Sequence, residues 1–143
     1  MDYLREILRN KKNEIKSLDG KFKDKNFIDG NFNFIKNISN NRVNIIAEIK
    51  KASPSRGVIN GSLDVEKVAL LYSKYKSFIS AISVITESVY FKGSSDFLKV
   101  VKKVSDLPVL RKDFIFHESQ IYESIALGAD CILLISSILA AYF

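Results

Sequence analysis

Three charged side chains, Glu48, Lys50 and Lys112, carry the strongest chemical suggestion in this sequence. Val43–Ile49 is an apolar, β-branched stretch suited to a buried strand. Side chains alternate faces along a strand. The odd positions Val43, Ile45, Ala47 and Ile49 are all apolar and would face covering helices. The even positions are Asn44, Ile46, Glu48 and Lys50, which puts two opposite charges on one face at the strand's C-terminal end. Charge cannot be buried cheaply without a partner, so this face needs an ion pair or a polar cavity. A later strand, Leu107–Arg111, repeats the arrangement: Pro108, Leu110 and Lys112 share a face, with Lys112 at its C-terminal end. Two lysines ending parallel strands can reach one mouth. A partly desolvated lysine gives up its proton more readily and can act as a general acid. It can also hold a phosphate or carboxylate as a point charge. An ordinary surface ion pair, or lysines that snorkel to solvent, satisfies the same pattern without chemistry.

The elements that must position these groups follow from periodicity. Leu4, Ile7, Leu8 and Ile15 mark a first helix. Residues 18–42 are rich in Asn, Lys, Asp and Gly, with Phe27, Ile28, Phe32, Phe34 and Ile35 suggesting a second short helix. Beyond Val43, strands and helices alternate. Leu63–Tyr75 reads as a helix with Leu63, Val65, Val68, Leu70 and Leu71 inward and acidic residues near its start. Phe78–Ile85 reads as a strand, Ser95–Val104 as a helix, Glu118–Leu127 as a helix ended by Gly128, and Asp130–Ile135 as a strand apolar on both faces. Ser136–Phe143 begins a further helix. Roughly 30 residues per unit is what strand–helix–strand geometry requires, and the result is a parallel sheet with helices outside. No GxGxxG follows the first strand, which leaves a dinucleotide site unsupported. The polar Lys51–Gly61 segment, with Pro54, Gly57 and Gly61, reads as a lid over the site or as a long plain loop. His117 opens a helix, where capping or solvent exposure suits it better than catalysis.

Bulk properties bound the class. The 143 residues suffice for one domain with a real core; 47% are hydrophobic and 27% charged, as in soluble globular chains. The apolar run Cys131–Ile135 is far too short to span a bilayer, and the N-terminus shows no signal peptide. The single cysteine, Cys131, reads as a small packed hydrophobe, and the expected location is cytoplasmic. Of the formal charge of +6, a net of +4 lies in residues 1–42, where ten Lys/Arg face six Asp/Glu. The lysines are scattered, which argues for a solvated face or a small anionic ligand over nucleic acid or a membrane.

Several motifs carry a specific resemblance. Ile46-Ala47-Glu48-Ile49-Lys50-Lys51-Ala52-Ser53-Pro54-Ser55 resembles the first-strand signature E-x-K-x-x-S-P-S of indole-3-glycerol-phosphate synthases. Ser83–Glu87 with Phe91–Ser94, Leu107–Ile115, Glu118–Glu123 and Leu127–Ile135 resemble the same family's later motifs, in order. The resemblance implies an α/β fold of the (β/α)8 TIM-barrel type, here incomplete. It divides into a helical extension, 1–42, and a partial barrel, 43–143, holding strands one to four and three intervening helices. It also implies a lyase of tryptophan biosynthesis that closes the indole ring of a carboxyphenylamino-deoxyribulose phosphate with loss of carbon dioxide and water, using neither metal nor organic cofactor. Carried over by motif, Lys112 is the general acid, Lys50 pairs with the substrate carboxylate, and Glu48 orients Lys50. Ser53 and Pro54 meet the substrate from the loop, and Phe91, Phe114 and Leu133 line the pocket for its ring. Core packing is an equally open role for Phe114 and the plainer one for Leu133.

A complete barrel needs about 250 residues. The family's general-base glutamate and phosphate loops lie on later strands. The sequence therefore reads as a truncated product, a gene fragment or half of a split enzyme. The isolated chain is expected to be inactive and marginally stable, with unpaired edges at its first and fourth strands that favour self-association or a complementary C-terminal half. A half-barrel acting only through such a partner, and a different phosphate-handling barrel, are the competing readings.

Overall fold

The computed structural model describes residues 3–18, 20–22 and 33–140. Four parallel strands, β1 (Ile45–Ile49), β4 (Ile79–Ile85), β5 (Val109–Ile115) and β6 (Cys131–Leu134), form one sheet in the order β1-β4-β5-β6. Helices α3 (Val65–Lys74), α4 (Asp96–Val104) and α5 (Glu118–Ala126) make the crossovers. A short antiparallel hairpin, β2 (Ala52–Ser53) and β3 (Gly57–Val58), follows β1. Two helices precede the sheet, α1 (Tyr3–Leu18) and α2 (Asn33–Ile38), and α6 (Ser136–Leu139) follows it. The expected Phe27, Ile28 and Phe32 pattern, and the end of the last helix at 141–143, lie outside the described residues.

The sheet has two unlike faces. Ile49, Ile82, Val84 and Val109 pack outward against α3 and α4 through Val65, Ala69, Leu98 and Val101. Full burial of each of the Ile, Val and Leu side chains among them contributes about 1.5–3 kcal/mol. The inward face carries Ile46, Glu48, Ser83, Leu110, Lys112 and Leu133. Here Glu48 lies opposite Ser83, Ser83 opposite Leu110, and Ile85 opposite Lys112. Ser83 Oγ is buried and lacks a hydrogen-bond partner. Both sheet edges, β1 and β6, are unpaired on their outer sides among the described residues. For that reason Ile45, Ile46, Leu133 and Leu134 stay substantially exposed although their sequence is that of a buried strand.

Local details correct parts of the sequence reading. Helix α3 buries Val65 and Ala69, with Val68 and Tyr72 packed beside them, while Leu70 and Leu71 face out. Val65, Val68, Ala69 and Tyr72 occupy the i, i+3, i+4, i+7 stripe, and Leu70 and Leu71, at i+5 and i+6, fall off it. Asp64 caps this helix through the amide of Lys67. Strand β5 runs four residues past Arg111, so Lys112 is internal to it and not at its end. Pairing with β4 nonetheless stops at Lys112, and beyond it Ile115 pairs with Leu134 of β6. His117 caps α5: its Nδ1 accepts from the Ser119 amide, while the Gln120 side chain returns to the His117 amide. Gly128 takes φ +85 just past α5, where a left-handed residue is wanted.

Helix α1 is tied to the sheet by charge as well as by apolar packing. Ile7, Lys11 and Ile15 form its buried face. Ile15 packs with Phe116 and Ile138, and Leu8, Phe114 and Ile135 border that cluster. Among the described residues no helix is long and apolar enough to cross a membrane.

Candidate active site at the strand ends

Glu48 ends the inward face of β1, and Lys50 follows two residues later on the same side. Lys112 reaches from β5, with β4 between the two strands. Neighbouring strands lie about 5 Å apart, so strands two apart are separated by about 10 Å, and the Lys112 and Glu48 side chains span that distance between them. The Glu48 carboxylate accepts from Lys50 Nζ at 2.6 Å on Oε1 and from Lys112 Nζ at 2.5 Å on Oε2. One carboxylate thus holds two ammonium groups, all three partly exposed. Burial alone would push the Glu48 carboxyl up; the hydrogen bonds from Lys112 and then Lys50 outweigh it and leave the carboxyl below its ordinary range. The Tyr72 hydroxyl donates to the Glu48 carbonyl and steadies the end of β1.

Beside this cluster lies an apolar cavity of about 70 Å³, lined by Ile85, Glu87, Phe91, Lys112, Asp113, Phe114, Leu133 and Ile135. It brings together four of the residues singled out by sequence: Phe91, Lys112, Phe114 and Leu133. The rings of Phe91 and Phe114 lie 6.3 Å apart at 48°. A larger cleft of about 260 Å³ sits elsewhere, between α1 and the start of α4, and contains none of them. Ser53 and Pro54 are in the hairpin and not in the cavity wall; the Ser53 hydroxyl accepts from the Arg56 amide. The long polar loop is therefore an ordered hairpin, with Gly57 at φ +62. It is joined to the β4–α4 loop by a hydrogen bond from the Ala52 amide to the Phe91 carbonyl. Cys131 is half-buried and unpaired, and burial pushes its thiol up. Among the described residues no cluster of His, Cys, Asp and Glu suits a metal ion.

The outward side of β5 holds a network that the sequence reading missed. Asp113, whose side chain is wholly buried, accepts from Lys11 Nζ at 3.0 Å, Arg111 at 3.2 Å, the Thr86 hydroxyl at 2.6 Å and the Phe114 amide at 2.8 Å. Arg111 also pairs with Glu123 at 2.8 Å and donates to Ser124 and the Gln120 carbonyl. The signal available in the sequence was Lys11 at i+4 from Ile7 and i−4 from Ile15, a charge in an apolar stripe. Burial opposes the charge on Asp113, but Lys11 and Arg111 hold the carboxyl below its ordinary 3.8. For Lys11, burial lowers and Asp113 then Glu14 raise, with a net rise above the ordinary 10.5.

These shifts set an expected pH profile. Asp113 and Glu48 have lowered folded values, so their stabilisation is present above the ordinary 3.8 and 4.5 and is lost as pH falls through the lower folded values. Lys11 has a raised value, so its stabilisation is present below 10.5 and is lost as pH rises through the folded value. Urea midpoints measured across pH should form a plateau with a fall at each end, and Lys11→Met should flatten the alkaline fall. A midpoint indifferent to acid below 3.8 would contradict the network.

Parallel strands alternating with helices, with Glu48 and Lys50 at the C-terminal end of β1 joined by Lys112 from within β5 beside an apolar hollow, define an α/β protein of the barrel-forming (β/α) class. Comparison with known proteins narrows this. A family model described as Indole-3-glycerol phosphate synthase matches residues 4–142, and the chain belongs to that family. A protein of that name from Thermoanaerobacter pseudethanolicus is 48% identical over 141 residues, covering 95% of this chain and 54% of the relative. One from Carboxydothermus hydrogenoformans is 57% identical over 100 residues, 70% of this chain and 37% of the relative. One from Clostridium acetobutylicum is 45% identical over 107 residues, 75% and 40% respectively. The chain thus spans about half, or less, of the length of the curated relatives it matches. Its sheet is the corresponding part of a barrel and is not closed.

Proposed function

We propose that this chain supplies the N-terminal wall of an indole-3-glycerol-phosphate synthase, a cytoplasmic carboxy-lyase of tryptophan biosynthesis acting on 1-(2-carboxyphenylamino)-1-deoxyribulose 5-phosphate. The observation that supports this most is the Glu48 carboxylate shared between Lys50 and Lys112 at the rim of a cavity walled by Phe91, Phe114 and Leu133. In this reading the anthranilate ring seats between the aromatic walls, and Lys50 pairs with its carboxylate. Lys112 donates a proton to the carbonyl oxygen as the ring carbon attacks the carbonyl carbon, and carbon dioxide and then water depart. A positioned ammonium stabilises the charge that develops on that oxygen. Apolar walls hold the two reacting parts of one molecule together. Glu48 holds both ammonium groups in register, and the Ser53–Pro54 hairpin closes over the substrate.

The isolated chain is expected to be inactive, because half a sheet leaves the cluster without an opposite wall. Exposed edges at β1 and β6, flanked by Ile46, Leu133 and Leu134, favour a second reading, in which the half-barrel works only with a complementary polypeptide. Both readings meet one experiment. The chain is assayed for indole-forming turnover alone, and again after mixing with a separately expressed C-terminal half of the Thermoanaerobacter pseudethanolicus relative. No turnover alone and turnover in a stoichiometric complex is the expected result. Turnover by the monomeric chain would overturn its inactivity, and a stoichiometric complex that stays inert would overturn the catalytic reading in favour of association alone.

A further inference from the structure

We infer that Glu87 is a positioning residue for the aromatic wall of the proposed site, its buried carboxylate holding Phe91 where a flat ring can be gripped. The inference rests on reading the cavity as a ring-binding site. The Glu87 residue is 1% exposed, and among the described residues it has no ion-pair partner. A carboxylate in that position is costly unless other donors satisfy it. Three backbone amides do so: Val89 donates to Oε1 at 3.0 Å, and Tyr90 and Phe91 donate to Oε2 at 2.8 and 2.9 Å. Successive amides converging on one anion form a nest, and charge-assisted bonds of this kind are roughly twice as strong as neutral ones.

The rest of the loop gives Phe91 little freedom to find another position. Lys92, immediately after it, is held at φ 55, a left-handed conformation a lysine rarely adopts. The Gly93 amide donates to the Glu87 carbonyl at 2.7 Å, and a Cβ on Gly93 would lie 2.4 Å from the Ile85 carbonyl oxygen. Only glycine fits that crossing. The Phe91 carbonyl is fixed from the other side by the Ala52 amide at 3.1 Å. The ring so placed leans on Phe114, and the side chain of Glu87 itself lines the same cavity as Lys112 and Leu133. One anion thereby fixes both the loop and one wall of the hollow.

The test uses the chain itself with Glu87→Gln, which keeps the shape but turns one acceptor oxygen into a donor. Amide exchange at Val89, Tyr90 and Phe91 should speed up by about tenfold or more, while Ile82 and Val84 keep their protection. Binding of 2-aminobenzoate, followed by its own fluorescence because the chain has no tryptophan, should weaken about tenfold for Glu87→Gln and comparably for Phe91→Leu. The double variant should bind no worse than Phe91→Leu alone. If Glu87→Gln does not fold, Glu87→Asp keeps the charge on a shorter stem and should fall between wild type and Phe91→Leu. Additive losses, or unchanged binding with only a lowered unfolding midpoint, would overturn the positioning role and leave Glu87 a loop-stabilising residue. Wild-type chain that ignores 2-aminobenzoate would instead sink the ring-binding reading, and the inference with it.

Discussion

Replacing Asp113 with alanine is expected to cost the fold about 3–5 kcal/mol, because it strands two buried cations without their shared counter-charge. Lys11 and Arg111 are each only 3% exposed at the side chain. Lys11 would retain Glu14 and Arg111 would retain Glu123, so the loss is large but not total. Domains of this size have about 5–15 kcal/mol in all. At the low end of that range, such a loss would leave the variant largely unfolded at 25 °C. Lys11→Met is expected to cost less, since Asp113 keeps Arg111, the Thr86 hydroxyl and the Phe114 amide. Urea denaturation followed by far-ultraviolet circular dichroism decides the matter. A loss under about 1 kcal/mol for Asp113→Ala would mean the pair behaves like an exposed salt bridge.

On the proposed proton-donor role, Lys112→Met in the complex with a C-terminal half should lower kcat by about 10²- to 10⁴-fold, the usual contribution of one general acid, with a smaller change in KM. Methionine approximates the length of the stem and removes the proton donor. The fold should tolerate the change, since the Lys112 side chain is 42% exposed and Glu48 keeps Lys50. Loss of the Lys112 hydrogen bond should also let the Glu48 carboxyl move back up toward its ordinary 4.5. Steady-state kinetics on the two-chain complex, with circular dichroism as the folding control, gives the answer. Turnover close to that of the unchanged complex would remove Lys112 from the proton-transfer role.

How far the sequence could be read depended on whether the relevant forces were local. The four strands and three crossover helices were legible because β-branched runs and helical stripes are local signals. So was the His117 cap, since a capping residue and its partners lie within one turn. The meeting of Glu48, Lys50 and Lys112 was legible from strand alternation alone, without knowing the curvature. The true length of β5 was not. Arg111 and Asp113 inside a strand look like its end, since two charges pointing at covering helices are prohibitive unless paired. Arg111 and Asp113 do pair with each other, but Asp113 also takes Lys11, 102 positions away, and Arg111 takes Glu123 from the next helix, and no local pattern announces either. The β2–β3 hairpin was missed because two-residue strands have no period to detect. Glu87 was legible only as the end of the Ser83–Glu87 motif, and its contacts were not, because its partners are backbone amides, which every sequence contains.

The Glu48 cluster has a final consequence in its charge count. Two ammonium groups share one carboxylate, so the rim retains one unit of positive charge that the cluster itself does not neutralise. Any small anion in the medium is drawn to it from about a Debye length, which is about 10 Å at 0.1 M salt and shrinks to about 3 Å at 1 M. Sulfate or phosphate in a buffer would then act as an unintended competitor at this rim, and ionic strength becomes a variable to fix before any affinity measured there is compared with another.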